Sequence, residues 1–330
     1  MWSGERFITK HVYPPEQPAR KSKVWLVAAL VALAWILTMA LSLFAQTTQK
    51  TGAEFLNIPV GARPVGMGGA YTALANDISS LHWNPAGLAL MNQPEIGAMY
   101  SQWLLDSQYN FLGFGYPAKT GTFAGSISVL SQGESEARGQ NRERTGSIKA
   151  QDQSLALGYG RRIGSIQAGL NTKLIQSEIA GYRANTFAFD LGLMVFARSH
   201  SPISLGLALQ NVGPGIRFIE QRDPLPLSLS GGLSYRLPVG IALALDVKQQ
   251  LISHKTNINI GTEYQALPVL SLRGGYIAAL GQQIPLAGNG GLDGISGGVG
   301  FRLMGAQIDY AFKPFGLLGD THRVSLGARF

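Results

Sequence analysis

Along residues 95–330, apolar side chains fall at every second position in short runs closed by turns, a unit repeated about fourteen times up to Phe330. Such alternation gives each strand one apolar and one polar face. Phe187, Phe189, Leu191, Leu193 and Val195 share one side of a segment whose other side carries Ala188, Asp190, Gly192 and Met194. Ile203, Leu205, Leu207 and Leu209 likewise oppose Ser204, Gly206, Ala208 and Gln210. Ile241, Leu243, Leu245 and Val247 oppose Ala242, Ala244, Asp246 and Lys248. Further strands are read at about 225–236, 256–265, 269–278, 294–304 and 306–312, and their charges (Arg236, Glu263, Arg273, Arg302, Asp309) all take the polar face. A lipid-facing Arg or Lys at the bilayer midplane costs about 2–4 kcal/mol, so this sorting predicts an all-β fold, a transmembrane antiparallel β-barrel of about 14 strands. A soluble β-sandwich also alternates, but needs far fewer strands.

Connection lengths make an independent case. With the first strand running outward, even connections should be tight periplasmic turns and odd ones longer external loops. The even ones are short: 119–121, 161–164, 198–202, 237–238, 266–268 and Gly305. Several odd ones are long: 132–149, which is rich in Arg and Glu, 212–224 and 280–294. Closing an even number of strands also removes the free edges through which sheets aggregate.

Composition narrows the chemistry. The chain has 330 residues, 14% charged, with 42 glycines and no cysteine. Glycine at this level suits strand bends and tight turns. Without cysteine there is no disulfide framework, thiol chemistry or lipidated N-terminus. The formal charge is +8, but Arg6, Lys10, Arg20, Lys21 and Lys23 against Glu5 and Glu16 leave +5 beyond residue 45. Those charges are scattered, with no basic stripe interleaved with aromatics, so no nucleic-acid binding is read.

The first 45 residues read as a signal peptide: Arg20, Lys21 and Lys23 precede a long apolar run ending near Ala45. That run is also just long enough to span a bilayer as a helix, and Leu43 is a poor match to the small residue expected before cleavage. Residues 46–94 alternate least and are read as a compact hatch, with residues 95–330 forming the outer-membrane barrel. Within the hatch, Tyr71–Ala75 is expected to form a short helix after Gly66, Gly68 and Gly69. Asn84 is expected to cap a second one with Pro85 at its first position. About fourteen strands enclose more space than their own side chains fill, which makes a plug in the lumen the favoured arrangement over a periplasmic extension.

The hatch carries a family pattern: Gly61–Ala62–Arg63, Gly66 to Tyr71 (including Gly68 and Gly69), Asp77, and Trp83–Asn84–Pro85–Ala86–Gly87–Leu88–Ala89. This pattern resembles the PorV/PorQ family of outer-membrane proteins, relatives of the long-chain fatty acid transporter FadL. The resemblance implies a hatch inside the barrel, with the Asn84–Gly87 segment as part of it. For the PorV branch it implies service in type IX secretion: binding the C-terminal signal domains of secreted cargo and shuttling them to a surface attachment complex, with the external loops as the holding surface. The alternative is a FadL-like channel for hydrophobic small molecules.

Other partners follow from the barrel itself. Outer-membrane lipid surrounds it. Val324, Leu326 and Phe330 alternate to a terminal aromatic, which resembles the signal read by the barrel-assembly machinery. Tyr235, Tyr264, Tyr276 and Tyr310 are expected outward near strand ends, in an interfacial girdle. No catalytic residue, cofactor site or metal site is expected. Gly294–Ile295–Ser296–Gly297–Gly298 matches a nucleophile elbow only formally, since no helix follows. His11, His82, His200, His254 and His322 are dispersed without ligand spacing. The stretch 288–294 resembles a calcium-binding turn but lacks repetition. Lumen charges Asp190, Asp246, Lys248, Glu263 and Arg273 are expected to pair with each other and with the plug.

Overall fold

The computed structural model describes residues 49–138, 144–196, 202–280, 294–316 and 319–330. The expected signal peptide therefore lies outside the described residues, as do 139–143 and 281–293 of the expected external loops, and most of the turn at 198–202. The first half of the sheet comprises β1 (Glu95–Gln102), β2 (Gln108–Ala118), β3 (Gly121–Arg138), β4 (Arg144–Ile163), β5 (Ile166–Ile179), β6 (Tyr182–Phe196) and β7 (Ile203–Val212). A small hairpin, β8 (Ile216–Phe218) and β9 (Gln221–Asp223), interrupts it. The second half comprises β10 (Ser228–Arg236), β11 (Ile241–Gln250), β12 (Thr256–Leu267), β13 (Leu270–Leu280), β14 (Ile295–Leu303), β15 (Ala306–Pro314) and β16 (Asp320–Arg329).

Fourteen of these strands form one closed antiparallel barrel. Each pairs with its neighbours in sequence, β7 with β10 across the hairpin, and β16 with β1 to close the ring. Outward and inward faces follow the alternation. Phe187, Phe189 and Leu191 are exposed on the outside, whereas Ala188, Asp190 and Met194 are buried inside. Val324, Leu326 and Phe330 are likewise exposed outward on and just beyond β16, and the Phe330 N–H is anchored on the Pro94 carbonyl. Tyr235, Tyr264, Tyr276 and Tyr310 all face outward, but Tyr310 lies mid-strand, opposite Val324 and Val299, where it meets His322 Nδ1 at 2.8 Å instead of joining a rim girdle.

Two expected external loops are not loops throughout. Most of 132–149 continues as β3 and β4, which run 18 and 20 residues and stay paired from Glu134 opposite Lys149 to Arg138 opposite Arg144. The 212–224 connection folds back as the β8–β9 hairpin, with Ile216 fully buried. Its flank holds the start of the hatch: the Gly52 N–H donates to the Pro224 carbonyl at 2.9 Å.

Residues 49–94 run through the lumen. They form short helices at Ala62–Gly66 and Ser80–Trp83 and 3₁₀ turns at Glu54–Asn57 and Pro85–Leu90. The expected helix at Tyr71–Ala75 is instead a single turn, in which Leu74 and Ala75 donate to the Tyr71 carbonyl at 3.0 and 2.9 Å and whose backbone is held by the wall. Tyr71 and Thr72 donate their N–H groups to Asp246 at 2.8 and 2.7 Å, and the Ala73 carbonyl accepts from Ser204 at 2.7 Å. The segment after Asn84 is capped as expected, Oδ1 accepting from Ala86 N at 3.1 Å, but winds as a 3₁₀ turn.

Candidate functional site

The wall accepts the hatch through inward-facing glycines. A Cβ at Gly275 would overlap the Gly68 nitrogen, and one at Gly169 would overlap the Pro85 carbonyl. Gly192, Gly206 and Gly261 approach hatch backbone in the same way around the ring. Glycine inside a strand costs stability unless another backbone must come close, and here it does. Much of the glycine therefore seats the plug, a role beyond the bends and turns that composition suggests.

The family-pattern residues meet at the centre of this plug. Arg63 grips Glu263 with two hydrogen bonds, from Nε at 2.7 Å and Nη2 at 2.9 Å. Its Nη1 reaches Tyr71 Oη and Asn76 Oδ1, both at 2.7 Å, and Asp77 at 3.3 Å. Tyr71 also donates to Asp77 at 2.6 Å, and Asp77 accepts the Ser79 N–H at 3.0 Å. On the wall, Arg273 bridges Glu263 and Asp309, each at 2.7 Å. Planar bidentate pairs of this kind hold orientation as well as charge. Trp83 donates to the Val60 carbonyl at 2.8 Å and stands edge-on to Tyr71, 6.2 Å between centroids. Asn84 Nδ2 ties the hatch to itself through the Thr72 carbonyl and to β6 through the Leu193 carbonyl, at 2.8 and 3.2 Å.

The glycines of the pattern have separate tasks. Gly61, at φ +88°, precedes the first helix, and its N–H points at Met99 Sδ, 3.0 Å away. Gly66 lies against Gly298 of β14, and Gly87 packs on Ala75 and Ser80 within the hatch. Gly68 donates to Ser296 at 3.0 Å, so the serine of the formal elbow pattern is a plug contact. The Gly69 carbonyl accepts from Asn259 at 3.3 Å. The expected lumen charges also find places: Asp190 pairs with Lys173 at 2.7 Å, and Lys248 reaches Asn57 at 3.5 Å.

The hatch divides the lumen. On the side of the long connections lies a cavity of about 760 Å3, lined by the hatch, the wall and the β8–β9 hairpin. Phe55, Trp83, Trp103, Phe218 and Phe315 line it together with Ile58, Val65, Leu130, Ile179 and Ile277. Asn57, Asn257, Asn259, Lys248 and Lys313 add polar groups. Burial holds the His82 imidazole, which also borders this space, well below its ordinary pKa, and Lys173, Lys248 and Arg323 reinforce the shift. His82 is therefore neutral at physiological pH. On the short-turn side, a smaller space of about 250 Å3 lies between the hatch and β1, β15 and β16, bordered by Arg63, Asp77, Glu95, Asp309 and Arg329.

Sequence reasoning expected Asp246, Glu263 and Arg273 to pair with each other and with the plug, as they do, but not that Arg63 is the plug's partner for Glu263, nor the roles of Tyr71, Ser296 and Trp103. The available signal was glycine on inward positions, as at Gly192 between Leu191 and Leu193.

The profile of a family described as "Uncharacterised protein family (UPF0164)" matches residues 36–269. A UPF0164 protein of Treponema pallidum is 24% identical over 310 residues, covering 84% of this chain and 68% of the relative. Among solved structures, the Pseudomonas putida toluene transporter TodX aligns with TM-score 0.62 at 14% identity, over 82% of this chain and 98% of that one. A Pseudomonas aeruginosa FadL homologue aligns with TM-score 0.54 at 10% identity, over 87% and 99%. These likenesses show a FadL-like barrel; the narrower PorV/PorQ resemblance has no counterpart among them.

Proposed function

The chain belongs to the UPF0164 family, and we propose that it is an outer-membrane channel for the uptake of hydrophobic small molecules, with the hatch closing the lumen between an outer cavity and the periplasm. The observation that carries the reading is the cavity of about 760 Å3 walled by aromatic and aliphatic side chains. Mostly apolar pockets with a few placed polar groups are the usual form of a small-molecule site. The fold shared with a toluene transporter supports the same reading. No catalytic step enters the proposal: the candidate serine holds the hatch.

The type IX shuttle reading rests on the motif resemblance alone. Of its three expected cargo-holding loops, 212–224 turns inward onto the hatch and 132–149 is largely strand. Residues 281–293 lie outside the described residues.

The test is uptake of a neutral aromatic fluorophore into cells carrying the barrel in their outer membrane. The wild-type chain is expected to raise the rate several-fold over cells without it, and Ile277→Trp, which fills the cavity from β13, to abolish the gain. Equal rates with and without the barrel refute the channel. Co-purification of secreted proteins sharing a C-terminal signal domain would restore the shuttle.

A further inference from the structure

Behind Trp103, in the wall of the outer cavity, lies a cation without a hydrogen-bond partner among the described residues. Arg323, on the inward face of β16, is 0% exposed, and among the described residues none of its three guanidinium nitrogens has a hydrogen-bond partner. It lies against the face of Trp103, 4.9 Å from the ring centroid, and Trp103 lines the cavity. Trp103 meets Phe315 edge-on at 5.4 Å, and Lys313 Nζ stands 4.8 Å from the Phe315 ring. Two cations and two aromatic rings thus form one patch across β1, β15 and β16. The acids that border the cavity, Glu54, Asp152 and Asp223, belong to the hatch, β4 and β9, and no ion pair found among the described residues joins one of them to Lys313 or Arg323.

An ionised group out of water and without a partner is strongly unfavourable, far beyond what one stacked ring returns. Elsewhere in this lumen the chain supplies carboxylates for its arginines, as Glu263 does for Arg63 and Arg273. From this contrast we infer that the Arg323–Lys313 patch is the anion subsite of the outer cavity and takes the carboxylate of an aryl acid, whose ring packs among Trp103 and Phe315. This rests on the channel reading and narrows its substrate from any apolar molecule to one with an aromatic body and one negative charge. Lys313, on the cavity surface, meets the carboxylate first, and a turn of the Trp103 indole brings it to Arg323.

The experiment compares 2-naphthoate with its neutral isostere 2-methylnaphthalene, and with decanoate, on the barrel in lipid nanodiscs, read by tryptophan fluorescence. Naphthoate is expected to bind about tenfold tighter than methylnaphthalene, as a charge-assisted hydrogen bond would give. Arg323→Met and, as a second variant should the first fail to fold, Lys313→Met are expected to remove that preference, so that each variant binds naphthoate no tighter than it binds methylnaphthalene. Equal affinity in the wild type, or a preference that survives both substitutions, overturns the subsite and leaves a guanidinium held by water alone, with the channel intact. Decanoate binding as tightly as naphthoate overturns the aromatic half of the inference. If neither naphthalene binds, the channel reading fails and the subsite with it.

Discussion

Arg63 and Arg323 both lie inside one barrel, yet their surroundings are opposite. Around Arg63, four hatch and wall oxygens from Glu263, Tyr71 and Asn76 converge within 2.9 Å, and each of the three guanidinium nitrogens has an acceptor. Around Arg323 there is Trp103 on one face and no acceptor among the described residues. The first region closes the plug and the second borders the space the plug leaves open. Buried polar groups are satisfied as a rule, so the unsatisfied one is the position that calls for an explanation.

That contrast breaks or sharpens under substitution. The largest effect belongs to the seats beneath the hatch: Gly275→Val drives a side chain into Gly68 backbone, and the plug cannot settle. Single-channel recordings should then show open, ion-conducting barrels where the wild type is closed; a closed Gly275→Val barrel would mean that the wall moves to accommodate it. Next, Arg63→Met takes from Glu263 one of its two guanidinium partners and from Tyr71, Asn76 and Asp77 their shared donor, and should lower stability by about 1.5–3 kcal/mol in denaturant unfolding. Arg323→Met is expected to be neutral or stabilising in the same assay, because an unpaired charge is replaced by an apolar chain of similar length. A loss matching that of Arg63→Met would erase the distinction between the two regions. Asn84→Ala removes the Ala86 cap and both tethers, for about 1–2 kcal/mol.

The smallest effect is a pH dependence. Burial lowers the folded-state pKa of His82, so the hatch is most stable with that imidazole neutral. Its contribution is present above the unfolded value of about 6.5 and is lost as pH falls below it. His82→Gln should flatten the stability profile in that range while leaving it unchanged at pH 8. An unaltered slope would place the acid sensitivity elsewhere.

How far the chain announces all this depends on the range of the interaction. The alternation around Phe187–Met194 is a period of two in neighbouring residues, so strand, face and membrane were legible at once. Asn84 before Pro85 was legible as a cap for the same local reason. The helix expected at Tyr71–Ala75 stops at one turn, and its tie to Asp246, 175 positions away, is a contact that no local pattern encodes. Continuation of β3 and β4 past the membrane was hidden by their polar composition, which a loop shares.

The sequence by itself determined the barrel, its inside and outside, and the identity of the hatch, since each depends on the order of side chains along a strand or turn. Only the tertiary structure decided which side chains meet inside the lumen. Closure brings Glu263 of β12 to Arg63, opposes Gly275 to Gly68, and leaves Arg323 beside Trp103 without an acid. Those pairings span up to 220 residues between Trp103 and Arg323, and no periodicity encodes them. They arise because a closed sheet fixes every inward position relative to one shared interior, where each charge must find a partner or wait for one.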